Sequence, residues 1–386
     1  MADPFELRKF LAPEFIFGVG ARKLAGRYAK NLGGKKVLVV SDPGVVQAGW
    51  STDVTDSIES AGLSFVLFTG VTPNPKIAEV EAGVAVYEAE HCDALVAVGG
   101  GSVIDCAKGI GIVTTNRKPI RAFEGVDMVT SPIPPLVCVP TTGGTSADVS
   151  QFAIITNPNE RVKFAIISKS VVPDMALIDP ETLITMDPYL TACTGLDALT
   201  HAIEAFVSTA RSSMTDLHAL EAMRLLSANL IPSISAPNNL EFRTQVMQGS
   251  LQAGLAFSNA ILGANHAMAH SIGGALDLAH GECNAILLDH VIEFNYSSAP
   301  DRYDKVAEAM GLDLRGMPEK ARKKALLDHV RQLKATVGIR RNLGNVGVSI
   351  SDVNLYSDHA LSDPCMITNP RRPTHRDIEV IYEESL

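Results

Sequence analysis

A parallel, doubly wound α/β sheet followed by an all-helical region is the fold class this sequence predicts. Three observations predict it. Short β-branched runs alternate with helical stretches through the first half of the chain. Glycine- or threonine-rich turns close two of those runs. Beyond residue 186 the strand pattern gives way to long helical ones. At 386 residues the chain is too long for one compact core, and roughly 150 residues per domain gives two. They are read as 1–186, the α/β domain, and 187–386, the helical one.

In chain order, KKVLVVSD (35–42) is a strand closing on a Ser-Asp-Pro-Gly turn. VVQAGWSTDVTDSIESAG (45–62) reads as one helix ending at Gly62. LSFVLFTG (63–70) is the next strand, and IAEVEAGVAVYEAEH (77–91) the next helix. DALVAVGGGS (93–102) is a strand entering a glycine loop, followed by the helix VIDCAKGIGIV. PPLVCVPTTGG (134–144) is a strand running into a Thr/Gly loop. QFAIIT, VKFAIIS and MALIDP supply the last strands. Asp187-Pro188 reads as an N-cap with proline at the first helical position. The helical patterns LDALTHAIEAFVS, TDLHALEAMRLLSANLI, residues 241–278 and DRYDKVAEAM follow.

Lys+Arg 33 against Asp+Glu 43 leaves a net charge of −10, without basic runs. This argues against nucleic-acid or membrane-surface binding. With 46% hydrophobic and 20% charged residues the chain is globular rather than disordered. The opening MADPFELRKF has no apolar secretory core, and no run is long enough to span a membrane. The six cysteines are scattered with no CxxC pair, which reads as reduced thiols in a cytoplasm.

Gly99, Gly100 and Gly101 stand where a strand turns into a helix. Without side chains, backbone N–H groups can approach a pyrophosphate, and the helix N-terminus adds partial positive charge. The usual GxGxxG dinucleotide fingerprint is absent. PTTGGT (140–145) adds a second loop at another strand end, with hydroxyls from Thr141, Thr142 and Thr145. Asp42 ends an early strand, where a carboxylate can accept both ribose hydroxyls of NAD and repel the 2′-phosphate of NADP.

The strongest signal is a set of five residues. Asp197 and His201 are spaced i, i+4, so they share one helix face. His266 and His270 repeat that spacing in NHAMAHSIGG, and His280 follows in AHGECN, read as a loop after the helix. One Asp with three His suits Fe(II), Zn(II), Mn(II) or Co(II). Four donors leave one candidate over, and spacing does not choose between His266 and His270. A histidine beside the metal without binding it could relay a proton. His91 stands at a helix end and His218 in an amphipathic helix, His290, His329, His359 and His375 read as structural or solvated, and Met268 as core.

In combination, VVSD, TPNP, DALVAVGGGSVIDCAK, PTTGGTSADV, GLDALTHAIEAF, AGLAFSNAILGANHAMAHSIGG and HGECNAILL resemble the iron-containing (group III) alcohol dehydrogenase family, nearly end to end. The resemblance implies a Rossmann-like N-terminal domain and an all-helical C-terminal domain, the dehydroquinate synthase-like fold, with the site in the cleft between them. It implies Asp197, His201, His266 and His280 as metal ligands and His270 as the proton-transfer histidine. Asp42 matches the ribose-binding Asp of NAD preference. Asn74, Gly100, Gly101, Ser102, Thr141, Thr142, Thr145 and Lys163 match cofactor contacts, and Phe257 a site-lining aromatic. It also implies a homodimer or higher, and the early KFLAPEFIFG strand reads as an exchanged or edge-pairing element. Three departures stand out: Ser146-Ala147-Asp148 in the threonine loop, Asn265 before His266, and Ala279 where proline is usual before His280.

The implied reaction is reversible NAD-linked oxidation of a small primary alcohol or diol, with Fe(II) foremost and Zn(II) as the other metal. Two alternatives are a glycerol-type polyol dehydrogenase and a regulatory NAD- and metal-binding protein. A lyase of the dehydroquinate-synthase type needs cations around a phosphate, and only Arg211, Arg224 and Arg243 lie between 187 and 300.

Overall fold

The computed structural model describes residues 9–386. The reading of an opening without a secretory leader rests on residues 1–10, most of which lie outside the described residues. The chain divides into two compact units, Ala12–Met186 and the stretch from Asp187 to Leu386, which takes in residues 9–11. Residues 9–11, placed with the sheet on sequence grounds, pack instead in the helical unit. Leu11 N–H donates to Asn259 Oδ1 (2.7 Å), and Asn259 Nδ2 donates back to Leu11 O (3.0 Å).

The first unit is built on β1 (Glu14–Phe17), β2 (Lys36–Val40), β3 (Ser64–Phe68), β4 (Ala94–Gly99), β5 (Gly125–Val126), β6 (Leu136–Pro140), β7 (Phe152–Asn157), β8 (Val162–Ile167) and β9 (Met175–Ile178). Its helices are α1 (Ala25–Asn31), α2 (Pro43–Gln47), α3 (Trp50–Ser60), α4 (Ile77–Ala89) and α5 (Gly101–Asn116). Six strands form one sheet in the order β1-β9-β6-β4-β2-β3, every pair parallel. Period-two alternation sorts their side chains into two cores. Leu38, Val40, Leu95 and Ala97 pack with Ile104 and Ile110 of α5. Val37, Val39, Val96 and Val98 pack on the other face with Ala29, Val54 and Ile58. Burial on both faces is why these strands read as unbroken apolar runs.

Two sequence readings change here. QFAIIT and VKFAIIS leave the parallel sheet: β7 and β8 form an antiparallel hairpin, Phe152↔Ile167 to Asn157↔Val162, in a three-stranded sheet with β5. A short connection permits a hairpin, whereas a parallel return needs a long crossover. The helix read over 45–62 is two helices, α2 and α3. Gly49, at φ +86°, takes a left-handed conformation that no other residue type adopts so cheaply, and the chain turns there.

The second unit carries α6 (Pro188–Val207), α7 (Ser213–Ser235), α8 (Leu240–Ala260), α9 (Ala264–Leu276), α10 (His280–Asn295), α11 (Pro300–Ala309), α12 (Glu319–Thr336), α13 (Val353–Ser362) and α14 (His375–Glu384), with no strand among its described residues. Asp187 caps α6 by accepting Leu190 N–H (2.9 Å), with Pro188 in the first turn. All six cysteines are buried and none forms a disulfide. Among the described residues no helix is long and apolar enough to cross a membrane.

Candidate metal centre and glycine-threonine loops

In the helical unit, α6 presents Asp197 and His201 one turn apart, α9 presents His266, and α10 begins at His280. His280, read as a loop residue, is therefore the first residue of a helix. One donor atom from each of Asp197, His201, His266 and His280 lies within 4.8 Å of the others. Asp197 Oδ1 is 3.7 Å from His266 Nε2 and 3.7 Å from His280 Nε2. Asp197, His201 and His266 are buried and His280 is half-buried.

The electrostatics of the cluster favour a cation. Burial pushes the Asp197 carboxyl up, but His201, His280 and His266 outweigh it and hold the group well below the usual carboxylate range. Burial lowers His266, while Glu204 and Asp197 more than offset this and raise it to about 9. His266 Nδ1 is hydrogen-bonded to Glu204 Oε2, which fixes the ring and leaves Nε2 facing the other donors. That Nε2 is buried without a hydrogen-bond partner. A buried ring nitrogen of this kind, opposite a carboxylate, fits a divalent metal, and three imidazoles with one carboxylate suit Fe(II) or Zn(II) chemically.

His270 stands beside the cluster and not in it. Its ring stacks on that of His280, centroids 5.2 Å apart, and its Nδ1 pairs with Asp363 Oδ2 at 2.8 Å. Asp363 in turn accepts Cys365 N–H (2.8 Å). His270, Asp363 and Cys365 also converge within 4.8 Å, and burial pushes the Cys365 thiol well up. Phe257 stacks on His201 at 4.3 Å and forms a wall of the cluster. Ala279 offers no side-chain cap to α10. The start of that helix is held by Tyr189 OH donating to Glu282 Oε1 (2.5 Å). It also lies so close to α6 that a Cβ on Gly281 would fall 2.5 Å from Cys193 O.

Sequence spacing missed Glu204 and Asp363. Glu204 could have been found by carrying the Asp197–His201 face one more turn along α6. Asp363 lies 93 residues from His270, and no local pattern joins them.

In the sheet unit the parallel topology brings Asp42, the glycine loop and the threonine loop to the carboxyl ends of β2, β4 and β6, which are neighbours in the sheet, while Lys163 lies in β8 of the smaller sheet. Gly100 caps α5, and Gly101 and Ser102 open it. Thr141 N–H donates to Gly99 O (3.0 Å), so the glycine and threonine loops lie side by side. The fit is close: a Cβ on Gly101 would fall 2.6 Å from Thr145 Oγ1, and one on Gly100 3.0 Å from Thr142 Cγ2. Asn74, at φ +56°, donates its N–H to Ser102 Oγ (3.2 Å) and accepts Lys163 Nζ at Oδ1 (2.7 Å). Asp42, at the end of β2, caps α2 through Oδ1, which accepts Val45 N–H (3.0 Å). Ser146, Ala147 and Asp148 are all buried, with Ala147 in the sheet core. This departure falls on the packing beneath the threonine loop rather than on its outer wall.

Two family models match the chain. Residues 12–180 match one described as iron-containing alcohol dehydrogenase, and residues 191–386 one described as the C-terminal part of the Fe-containing alcohol dehydrogenase family. A 1,3-propanediol dehydrogenase of Citrobacter freundii is 38% identical over 384 residues, covering 99% of both chains. Alcohol dehydrogenase 4 of Schizosaccharomyces pombe is 39% identical over 380 residues, 98% of this chain and 89% of that one. A crystal structure of a 1,3-propanediol oxidoreductase superposes with a TM-score of 0.95 at 37% identity, over 99% of this chain and 100% of the other. The chain thus belongs to the iron-containing alcohol dehydrogenase family and is an oxidoreductase acting on alcohols.

Proposed function

We propose that this enzyme transfers hydride reversibly between a small primary alcohol or diol and NAD⁺, giving aldehyde and NADH, with a divalent metal held by Asp197, His201, His266 and His280. The observation that carries the metal is the buried His266 Nε2, turned toward Asp197 while Glu204 occupies the other ring nitrogen. Fe(II) is the first candidate and Zn(II) the second. When bound, such an ion supplies Lewis-acid stabilisation of negative charge developing on the substrate oxygen.

The protein's own groups do the rest. Asp363 holds His270 through Nδ1, which leaves Nε2 as the atom that takes the hydroxyl proton in oxidation and returns it in reduction. Phe257 keeps the His201 ring in place and water away from its face. Backbone N–H groups at Gly100, Gly101 and Ser102, aided by the dipole of α5, receive the pyrophosphate. Thr141, Thr142 and Thr145 line the adjoining loop, and Asn74, bonded to Ser102 and to Lys163, adds polar groups beside the start of α5. The names of the relatives, alcohol and 1,3-propanediol dehydrogenases, support a short alcohol or diol as substrate. Six buried cysteines, none in a disulfide, support a reducing, cytoplasmic setting.

The test is NADH formation at 340 nm by anaerobically prepared, Fe(II)-loaded protein with short primary alcohols and diols. Activity that vanishes on chelation and returns with Fe(II) supports the reading. Protein that retains the ion and binds NADH yet turns over none of these alcohols overturns the substrate class.

Asp42 gives a separate prediction. Its Oδ2 has no hydrogen-bond partner among the described residues, so it is available to a ribose hydroxyl and opposes a 2′-phosphate. Asp42→Gly should narrow the NAD over NADP preference in kcat/KM by at least about tenfold, since like charges face to face cost several kcal/mol. Glycine replaces Asp as an N-cap at a cost of only a few tenths of a kcal/mol, so stability hardly enters. An unchanged ratio removes Asp42 from the ribose site.

A further inference from the structure

Asn265 and Asn284 are fully buried on α9 and α10, and neither is a donor or proton carrier in the reading above. Their orientations follow from one contact. Asn265 Nδ2 lies 3.2 Å from the backbone carbonyl oxygen of Asn284, which can only accept. The end of Asn265 that faces it is therefore the NH₂. The same NH₂ lies 2.9 Å from the Asn284 side chain, which must answer with its oxygen, Oδ1. The NH₂ of Asn284 is then turned the other way, where it lies 2.7 Å from Asp197 Oδ1 and 3.1 Å from His280 Nε2. Reversing that amide would press a carbonyl oxygen against a buried carboxylate. On its other side, Asn265 N–H donates to Glu204 Oε1 (2.7 Å), and Glu204 Oε2 holds His266. One residue thus reaches three of the four donor residues at one remove. Asn265 Oδ1, meanwhile, is buried with no hydrogen-bond partner, a poor arrangement if packing were its only role.

We infer that Asn265 is a positioning residue for the metal centre. It locks the direction of the Asn284 amide, which holds the Asp197 carboxylate in place before a divalent cation arrives and yields His280 Nε2 to that cation, and it thereby sets how tightly the site retains it. The inference rests on the metal-centre reading above.

The test measures Zn(II) affinity of the full chain by competition with a chromophoric chelator, for wild type, Asn265→Val, Asn284→Leu and the double variant. Asn265→Val should bind Zn(II) about 10- to 100-fold more weakly, the usual effect of losing an outer-shell partner. Because Asn265 acts through Asn284, the double variant should bind no more weakly than Asn284→Leu alone. Asn265→Ser is folded more safely, stays polar and is too short to reach Asn284, so it should show the same loss. Melting temperatures with and without Zn(II) exclude a packing role. A packing defect lowers both alike, whereas lost positioning narrows the gap between them. Wild-type affinity in Asn265→Val or Asn265→Ser, additive losses in the double variant, or an unchanged gap would overturn the inference. If wild type retains no Zn(II), or His266→Ala retains it as well as wild type does, the metal-centre reading itself fails.

Discussion

His266→Ala is expected to lose its metal and at least about a thousandfold of NADH-forming activity. Lewis-acid stabilisation is worth several kcal/mol, and each 1.36 kcal/mol is tenfold in rate. The substitution removes the Nε2 that faces Asp197 and also strips Glu204 Oε2 of its ring partner. A buried carboxylate left this way costs about 3–5 kcal/mol, so the variant should melt lower as well. His270→Ala separates the two roles. It should keep the ion, because His270 is not one of the four converging donors, yet lose about 10²–10⁴-fold in rate along with the proton transfer proposed for it. Metal content by atomic absorption, read beside turnover, checks both. A His266→Ala protein that holds one ion per chain at full activity would remove this residue from the ligand set.

Gly101→Ala should weaken NADH binding about 10- to 100-fold. The added Cβ would lie 2.6 Å from Thr145 Oγ1 and 2.9 Å from Thr145 Cβ. Turning the threonine side chain relieves the first clash but not the second, so the glycine and threonine loops must part. Overpacking of this kind costs roughly 1–3 kcal/mol, and 1.4 kcal/mol is tenfold in affinity. Gly100→Ala is the graded comparison. Its Cβ meets Thr142 Cγ2 at 3.0 Å, which a rotamer change can ease, so its loss should be the smaller. Fluorescence titration with NADH measures both. Unchanged binding in Gly101→Ala would mean that the loops do not clasp the cofactor.

Much of this was legible in one dimension because it is periodic. Alternate residues of β2 fall in opposite cores, and the unbroken apolar run KVLVV is the mark that burial on both faces leaves in the sequence. Asp197 and His201 share a face because 3.6 residues make a turn, whatever α6 packs against. The Asp187-Pro188 cap is local chemistry between neighbours in the chain. The misreadings occurred where local signals were ambiguous. Gly49 is tolerable within a helix, so the break between α2 and α3 shows only in its φ of +86°. The hairpin of β7 and β8 has the same apolar, β-branched composition as a parallel strand.

Spacing along the chain sufficed to name the helices that carry donors and the strand ends that carry glycine. It could not say which of His266 and His270 faces Asp197, since both belong to one i, i+4 pair. Packing answers that through partners remote in sequence. Glu204, 62 residues from His266, takes that ring's Nδ1 and leaves Nε2 toward the other donors. Asp363, 93 residues from His270, claims that ring instead. The same holds for Asn265, next to His266 in the chain, whose side chain reaches Asp197 only through Asn284. Periodicity is a property of the backbone and survives in the letters. The direction of a hydrogen bond between distant side chains is set by which groups are buried together, and only the folded chain decides that.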